Sequence, residues 1–315
     1  GRLSAAPSVL VTGCGTIVPM ASRSRMRRRR RRIGIVAVLV TVPVLLVTLI
    51  VAIGVTATNL AAIPGGAAPP GDQPRALPPN AGDIDPGNLI DDDLFFDRDA
   101  LSTAEIQDFL DDRIGECVNG ACLNVATAGI SSREARVSER TGDVICRAIE
   151  GGELPVAEII HRVQEACGIS ARVILVTLQK EQSLIEGRAA RAPSEGRLRA
   201  AMGASCPDTA PCDPEYEGVG AQIVAGATDL ASYRASNFMR QPGTHFIAFH
   251  PDPACGGTEV AIENDATAAL YNYTPYQPDP AAMSAGWGSG GPCSSYGNRN
   301  FSYYFALWFG SVRAG

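Results

Sequence analysis

The chain has 315 residues and a formal net charge of -6 at pH 7, a length that suits one large domain with appendages. The charge is uneven: residues 1–62 hold nine arginines and no acidic residue, and subtracting those nine positive charges leaves -15 for the remainder. Nucleic-acid binding depends on Lys and Arg neutralising phosphates, and this remainder contains a single lysine, Lys180. We therefore predict no nucleic-acid partner.

The N-terminal region has the pattern of a membrane anchor. A basic segment over 1–32 ends in six consecutive arginines, and an apolar run without charge follows from Ile33 to about Ile53. Such a run can cross the hydrocarbon core as one helix, with the arginines held on the cytoplasmic side. The sequence therefore predicts a cytoplasmic segment 1–32, a transmembrane helix 33–55 that anchors the chain in the cell membrane in a single pass, and an exported remainder. The alternative is signal cleavage after Ala57, which would release the remainder as a secreted protein.

The next segment has the composition of a linker. Residues from Pro64 to about Asn88 are rich in Pro, Gly and Ala and contain few large apolar side chains. Such sequences stay extended rather than forming a core. We therefore assign 56–88 to a linker and 89–315 to one extracytoplasmic domain.

The exported part contains an even number of cysteines. Eight cysteines in an extracytoplasmic domain indicate disulfides, and their order along the chain favours pairing each with the next. Zinc is the weaker alternative, since the spacings are not paired C-x-x-C and the three histidines are scattered. We predict no metal and no cofactor. The expected pairs are Cys117–Cys122, Cys146–Cys167, Cys206–Cys212 and Cys255–Cys293.

Apolar residues recur mostly at helical spacing, which predicts a mainly α domain. The first helix starts with a capping box from Ser102 to Glu105. Residues 115–145 have a loop-like composition, and Phe246, Ile247 and Phe249 suggest a short strand. The other predicted helices cover 155–167, 170–186, Val219 to Tyr233, Ala266 to Tyr273, and a last one from Asn300 to the stop at Gly310.

One helix carries a carboxylate among core-facing positions. Ile174, Leu178, Glu181 and Ile185 are spaced so that they share one face of the helix 170–186, which Ser170 can cap. Burying an unpaired carboxylate is costly, so such a group tends to keep its proton, and a protonated carboxyl in an apolar cleft can act as the acid in glycosidic bond cleavage. The alternative is a slightly rotated helix with Glu181 at a wetted edge.

The order of motifs around Glu181 resembles the goose-type lysozyme and soluble lytic transglycosylase superfamily. The helix from Cys167 through Glu181 is similar to the family's catalytic helix, and Ala201-Met-Gly203 to its Gly-rich segment with Met. Gln222-Ile-Val-Ala-Gly-Ala-Thr-Asp-Leu230 is similar to the family's Asn-Ile-x-x-Gly-x-x-Tyr-Leu. Leu270-Tyr-Asn-Tyr-Thr-Pro275 is similar to its Ala-Tyr-Asn-Ala-Gly-Pro. These matches cover roughly residues 155 to 280, and they imply a lysozyme-like helical domain with disulfide-stapled loops.

The exported domain also resembles a group of exported proteins of high-GC Gram-positive bacteria. This second resemblance covers nearly the whole domain. It rests on the segments Gln179 to Gln182, Cys206 to Asp213, Leu270 to Pro278 and Tyr296 to Phe301.

The first resemblance implies roles for six residues. Glu181 would be the single general acid and base, and Tyr271 would orient its carboxyl. The sugar-binding groove would be lined by Gln182, Met202, Asn272 and Tyr273. The sequence departs from the family at Gln182, where a serine is usual, and at Tyr273-Thr274, where Ala-Gly is usual.

The function that the resemblance implies is that of a lytic transglycosylase, with peptidoglycan glycan strands as the partner. The enzyme would cleave between N-acetylmuramic acid and N-acetylglucosamine and form an anhydro product. A muramidase would need a second carboxylate to activate water. The candidates for it are Asp208, Asp213, Glu215 and Glu217, for which a solvated acidic loop is the preferred interpretation. The remaining alternative is a non-catalytic wall-binding or adhesive module. Aromatic residues that could stack on sugars in any of these cases are Tyr273, Tyr276, Trp287 and Tyr296.

Overall fold

The computed structural model describes residues 76–78, 84–206 and 212–314. The predicted cytoplasmic segment, transmembrane helix and most of the linker lie outside these ranges, as does Asp208. Within the described ranges, no helix has both the length and the apolar character needed to cross a membrane.

The described domain is mainly helical, as the periodicity predicts. Its helices are α1 (Asp92–Phe95), α2 (Thr103–Ile114), α3 (Val156–Cys167), α4 (Ala171–Gln182), α5 (Arg188–Arg191), α6 (Glu195–Arg199), α7 (Val219–Ala235), α8 (Asp265–Tyr273), α9 (Pro280–Ser284) and α10 (Gly297–Phe309). Its strands are β1 (Thr127–Ile130), β2 (Arg136–Val137), β3 (Val144–Cys146), β4 (Gly152–Pro155), β5 (Gly243–Ala248) and β6 (Gly257–Ile262).

The strands form three small antiparallel pairs rather than one sheet. They pair as β1 with β4, β2 with β3, and β5 with β6. In the last pair Gly243 lies opposite Ile262 and Ala248 opposite Gly257. The sequence predicts one short strand near Phe246 but not its partner. The hairpin has little alternating burial to reveal it, since Ile247 is the one buried residue of β5 and the large side chain of Phe246 is exposed.

Helix α4 is the centre of the domain. Its side chains from Val173 to Leu178 are almost completely buried, which is the pattern of a helix surrounded by other elements. It packs against α10 and α3. The predicted cap is confirmed, because the Ser170 side chain accepts a hydrogen bond from the Arg172 amide. The capping box of α2 is confirmed as well.

Helix α4 ends one turn earlier than the sequence predicts. Ser183 adopts a left-handed conformation with φ 55°, so the prediction of a helix to residue 186 is wrong. The buried side chain of Gln179 explains the change: its oxygen accepts from the amides of Ile185 (2.9 Å) and Glu186 (3.1 Å). These bonds replace the helical ones, and the chain after α4 turns across the helix end.

The C-terminal helix contributes an aromatic face to the core. Phe301 and Phe305 are buried, and the Trp308 ring lies 5.5 Å from that of Phe109. Core packing therefore accounts for the aromatic stripe. The helix begins at Gly297, three residues before the predicted Asn300.

All four predicted disulfides are confirmed. The structure joins Cys117 to Cys122, Cys146 to Cys167, Cys206 to Cys212 and Cys255 to Cys293. The pair from Cys146 ties β3 to the end of α3, and the pair from Cys255 ties the segment between β5 and β6 to the loop before α10. Such links stabilise loops that have little core of their own.

The last residues of the predicted linker pack against the domain. The backbone oxygen of Pro86 accepts a hydrogen bond from the Tyr271 hydroxyl (3.0 Å), and that of Gly87 accepts from the Glu263 amide (2.8 Å). The described fold therefore includes residues 84–88, ahead of the predicted boundary at Leu89.

Candidate functional site

A polar cleft of about 440 Å³ opens beside the C-terminal end of α4. Its walls are the end of α4, the turn at 200–206, one face of α7, and the segment that leaves α8. The residues that line it include Lys180, Glu181, Gln182, Met202, Gly203, Asp229, Tyr233, Tyr273, Thr274 and Tyr276.

Glu181 reaches this cleft, but it is paired. Its side chain is 27% exposed, and its Oε1 accepts from the ammonium of Lys180, whose side chain is 3% exposed. The ammonium also donates to Thr274 Oγ1 at 2.9 Å. The expectation of an unpaired carboxylate is therefore wrong, because a long side chain from the next residue reaches the same oxygen. The alternative interpretation, in which the helix is slightly rotated and Glu181 lies at a solvated edge, describes its position better.

The other carboxylate oxygen of Glu181 faces the Gly203 turn. A Cβ on Gly203 would lie 3.5 Å from Glu181 Oε2, and Gly203 has φ 75°, which favours glycine. The turn is held by the buried side chain of Gln222, which accepts from the amides of Met202 and Ala204 at 3.1 Å. Gln222 also donates to the Ala204 oxygen at 2.7 Å. A side chain of α7 thus fixes the wall opposite Glu181.

Tyr273 connects these two walls. Its hydroxyl donates to the Met202 backbone oxygen, and the Lys180 nitrogen lies 5.2 Å from its ring centre. Burial raises the pKa of Tyr273 well above its ordinary value, with nearby Glu181 and Asp229 acting in the same direction. The phenol is therefore a neutral donor at any physiological pH.

The structure does not bring Tyr271 to Glu181. Tyr271 is fully buried on the other side of α8, and its hydroxyl donates to Pro86. Asn272 is directed elsewhere too: its side-chain oxygen accepts from the Arg240 amide, and its amide donates to the Arg240 oxygen. Two predicted roles are therefore wrong, and Tyr273 is the tyrosine of α8 that faces the carboxylate.

The other residues predicted for the groove also line the cleft. Gln182 lines the cleft next to Glu181. Met202 also contributes to the lining, although its side chain is buried against α7, where a Cβ on Gly226 would come within 2.7 Å of its Cε. Met202 therefore acts on the cleft mainly through its backbone oxygen, which holds Tyr273.

The structure adds a second carboxylate that the sequence analysis missed. Asp229 and Tyr233, one turn apart on α7, both line the cleft. Burial raises the pKa of Asp229, and burial together with Asp229 raises the pKa of Tyr233 to about 12. A signal was present, because Asp229 stands where the resembled motif has its tyrosine. Because the motif match is weak, this one difference from the motif was not enough to identify Asp229 as a site residue.

The three described acidic residues after Cys212, namely Asp213, Glu215 and Glu217, do not line the cleft. Asp213 caps a short 3-10 helix by accepting from the Glu215 amide, and Glu217 lies 3.6 Å from Arg199. These contacts fit the solvated loop that the sequence favours.

Of the four aromatic residues considered for sugar stacking, two line the cleft, namely Tyr273 and Tyr276. Trp287 instead packs on Tyr303 and Tyr304, with ring centres 5.1 and 4.8 Å apart. Tyr296 packs under Arg299, at 4.6 Å. Trp287 and Tyr296 are therefore engaged in packing contacts and do not line the cleft.

Comparison with protein-family models, curated proteins and solved structures finds no match to this chain. The lysozyme-like resemblance therefore rests on the sequence motifs, and the site rests on its own geometry.

Proposed function

We propose that this domain cleaves glycan strands of bacterial peptidoglycan between N-acetylmuramic acid and N-acetylglucosamine, with Glu181 as acid and base. The observation that carries the proposal is the carboxylate of Glu181 at the wall of an open polar cleft, with one oxygen held and the other turned toward the opposite wall. A carboxyl flanking a glycosidic bond is the group that this chemistry requires.

In the proposed reaction Glu181 protonates the glycosidic oxygen as the bond to the muramic acid C1 breaks. The same carboxylate then takes the proton of the muramic acid C6 hydroxyl, whose oxygen bonds to C1 and closes an anhydro ring. Lys180 fixes one oxygen of Glu181, and Thr274 fixes Lys180. The side chain is thereby positioned before substrate arrives, and less orientation is lost on binding.

The motif order supports the same function. The catalytic helix, the Met-Gly turn and the α7 motif of the resembled superfamily correspond to the three elements that meet at Glu181. The last motif reaches the cleft through Tyr273 instead of Tyr271. We expect this tyrosine to affect substrate binding more than the chemical step, because Tyr273 narrows the groove at a position where the resembled family has alanine.

A non-catalytic wall-binding module is the second candidate, and the Lys180–Glu181 pair favours it. A buried lysine needs a partner, and an ion pair that satisfies it gives Glu181 a structural role without any chemistry. The tyrosines at the cleft would then bind sugar rings only.

The purified full chain incubated with purified cell wall separates the two candidates. An enzyme releases soluble muropeptides that accumulate with time, and a binding module sediments with the wall and releases none. Mass spectrometry of the supernatant measures this, with heat-denatured protein as the control. Absence of released muropeptides, with wall binding retained, contradicts the proposed cleavage.

The two tyrosines of α8 form a matched pair of variants. Tyr273→Phe removes the bond that joins the two cleft walls, so we expect wall cleavage to fall about fivefold, the factor that corresponds to one lost hydrogen bond of about 1 kcal/mol. Tyr271→Phe removes a bond to Pro86 outside the cleft and should lower only the free energy of unfolding, by about 1 kcal/mol. Cleavage assays and urea unfolding of both variants test the assignment. A loss of cleavage in Tyr271→Phe alone would restore the original role of that residue.

A further inference from the structure

Two large apolar side chains are exposed next to the cleft. Phe238 is 43% exposed and Met239 is 75% exposed, and both lie in the segment 236–241 between α7 and β5. The ring of Phe238 lies 5.0 Å from that of Tyr233, which lines the cleft. The apolar surface therefore begins at a wall of the cleft and continues outward from it. Exposed apolar surface of this kind is typical of ligand-binding grooves.

Hydrogen bonds from two other parts of the domain fix the segment that carries Phe238. The backbone oxygen of Asn237 accepts from the guanidinium of Arg140 at 2.9 Å. On the other side, the side chain of Asn272 in α8 accepts from the Arg240 amide at 3.0 Å and donates to the Arg240 oxygen at 2.9 Å. The exposed ring thus stands on a backbone that is held at both ends, so less orientation is lost when a ligand packs on it.

The segment 236–241 lies outside the motifs that carry the lysozyme-like resemblance. Those motifs stop at Leu230 and resume at Leu270. The stretch between them contains this segment and the hairpin of β5 and β6. A role of Phe238 would therefore be a property of this chain, and the resemblance does not supply it.

We infer that Phe238, backed by Tyr233 and flanked by Met239, is a sugar-stacking platform that extends the glycan-binding groove beyond the cleft and favours long strands over short fragments. This inference rests on the proposed binding of peptidoglycan glycan in the cleft. The faces of a hexosamine ring that carry axial C–H bonds are apolar and pack on an exposed aromatic ring. A strand bound at Glu181 continues past the cleft as further sugars, and the surface that adjoins the cleft is available to them.

The size of the patch fits a sugar better than a membrane. Stable binding to a lipid surface takes the apolar face of a whole helix or a covalently attached lipid. The patch described above consists of two exposed side chains on a short segment. Its continuity with the cleft through Tyr233 favours the ligand of the cleft as its occupant.

The variant Phe238→Ala tests the platform on soluble glycan strands prepared from purified cell wall. Binding away from the broken bond contributes equally to the bound substrate and to the transition state, so its loss raises KM and leaves kcat unchanged. We expect KM to rise about fivefold, the factor for an aromatic contact of about 1 kcal/mol. Phe238→Trp keeps an exposed ring and should keep the wild-type KM. An unchanged KM in Phe238→Ala, or a fall in kcat, would overturn the inference.

Strand length provides a second measurement on the same variant. The effect on KM should disappear on the shortest fragment that the wild type cleaves, because such a fragment does not extend past the cleft. A fivefold effect that persists on this fragment would place Phe238 in the cleft itself and overturn the inference.

An exposed phenylalanine of the hairpin provides the matched control. Phe246 is 56% exposed and does not line the cleft, so Phe246→Ala should keep the wild-type KM. Circular dichroism checks that each variant is folded. Equal rises of KM in Phe246→Ala and Phe238→Ala would overturn the inference. Loss of binding to vesicles of anionic phospholipid in Phe238→Ala, with glycan binding intact, would assign the patch to a membrane and overturn it too.

Sedimentation with purified wall separates this inference from the proposed cleavage. Glu181→Gln serves as the parent, so that wall binding is measured without digestion. Adding Phe238→Ala should weaken wall binding about fivefold. Equal binding with and without Phe238→Ala overturns the inference, whatever the wild type releases. A wild type that releases no muropeptides, with binding that still depends on Phe238, overturns the proposed cleavage alone and supports the platform.

Discussion

The Glu181→Gln variant should release muropeptides about 100- to 10,000-fold more slowly than the wild type, the range in which general acid–base catalysis contributes. The amide cannot give a proton to the glycosidic oxygen, although its oxygen can still accept from the Lys180 ammonium. The fold should therefore persist, with a loss of about 1–2 kcal/mol because a neutral acceptor replaces a charged one. The rate is measured on purified cell wall, and the fold by circular dichroism and urea unfolding.

A glutamate that does not line the cleft provides the control for this variant. Glu195 is 90% exposed and pairs with Arg199 across one turn of α6 at 3.4 Å, a contact of little energetic value. Glu195→Gln should cleave at the wild-type rate. If Glu181→Gln also cleaves at the wild-type rate while remaining folded, Glu181 is not the acid, and the ion pair with Lys180 is its structural role.

Replacing Arg299 should cause a large loss of stability, about 2–4 kcal/mol for Arg299→Met. The side chain is 2% exposed and its guanidinium donates to the backbone oxygens of Ala282 (2.8 Å) and Gly288 (3.0 Å). Burial lowers the pKa of Arg299, but the guanidinium stays charged and satisfied by these acceptors. Methionine fills similar space and leaves both oxygens without their donor. Urea unfolding measures the change.

A surface arginine separates the effect of burial from that of charge. Arg199 is 45% exposed and pairs with Glu195 and Glu217. Arg199→Met should change the free energy of unfolding by no more than about 1 kcal/mol. Similar losses in Arg199→Met and Arg299→Met would show that the loops before α10 do not depend on the buried guanidinium.

Local features of the fold could be read from the sequence because they depend on neighbours along the chain. The capping box at Ser102 needs residues three apart, and the cap at Ser170 needs two. Each disulfide joins a cysteine to the next one along the chain, so sequence order was sufficient. Helical periodicity located Glu181 on a face that meets other elements. The anomaly of a carboxylate there was visible before any contact was known.

Helix α4 shows where local reasoning stops. Its periodic apolar residues continue to Ile185, which is indeed buried, yet the helix ends at Gln182. Gln179 ends the helix because its side-chain oxygen accepts hydrogen bonds from the amides of Ile185 and Glu186. Apolar periodicity does not predict this contact. Lys180 and Glu181 illustrate the same limit. Adjacent helical residues point about 100° apart, so helical spacing does not predict that the buried Lys180 side chain pairs with the carboxylate of its neighbour.

The sequence by itself determined the helical class, the caps, the disulfide pairs and the presence of Glu181 at a helix face. The tertiary structure decided which residues share the cleft with it. It selected Tyr273 over Tyr271 through the rotation of α8, which buries one phenol against Pro86 and presents the other to the Met202 oxygen. It brought Asp229 from α7 into the same cleft. Motif spacing constrains residues within one element, whereas a site is assembled from faces whose relative rotation depends on packing of the whole core.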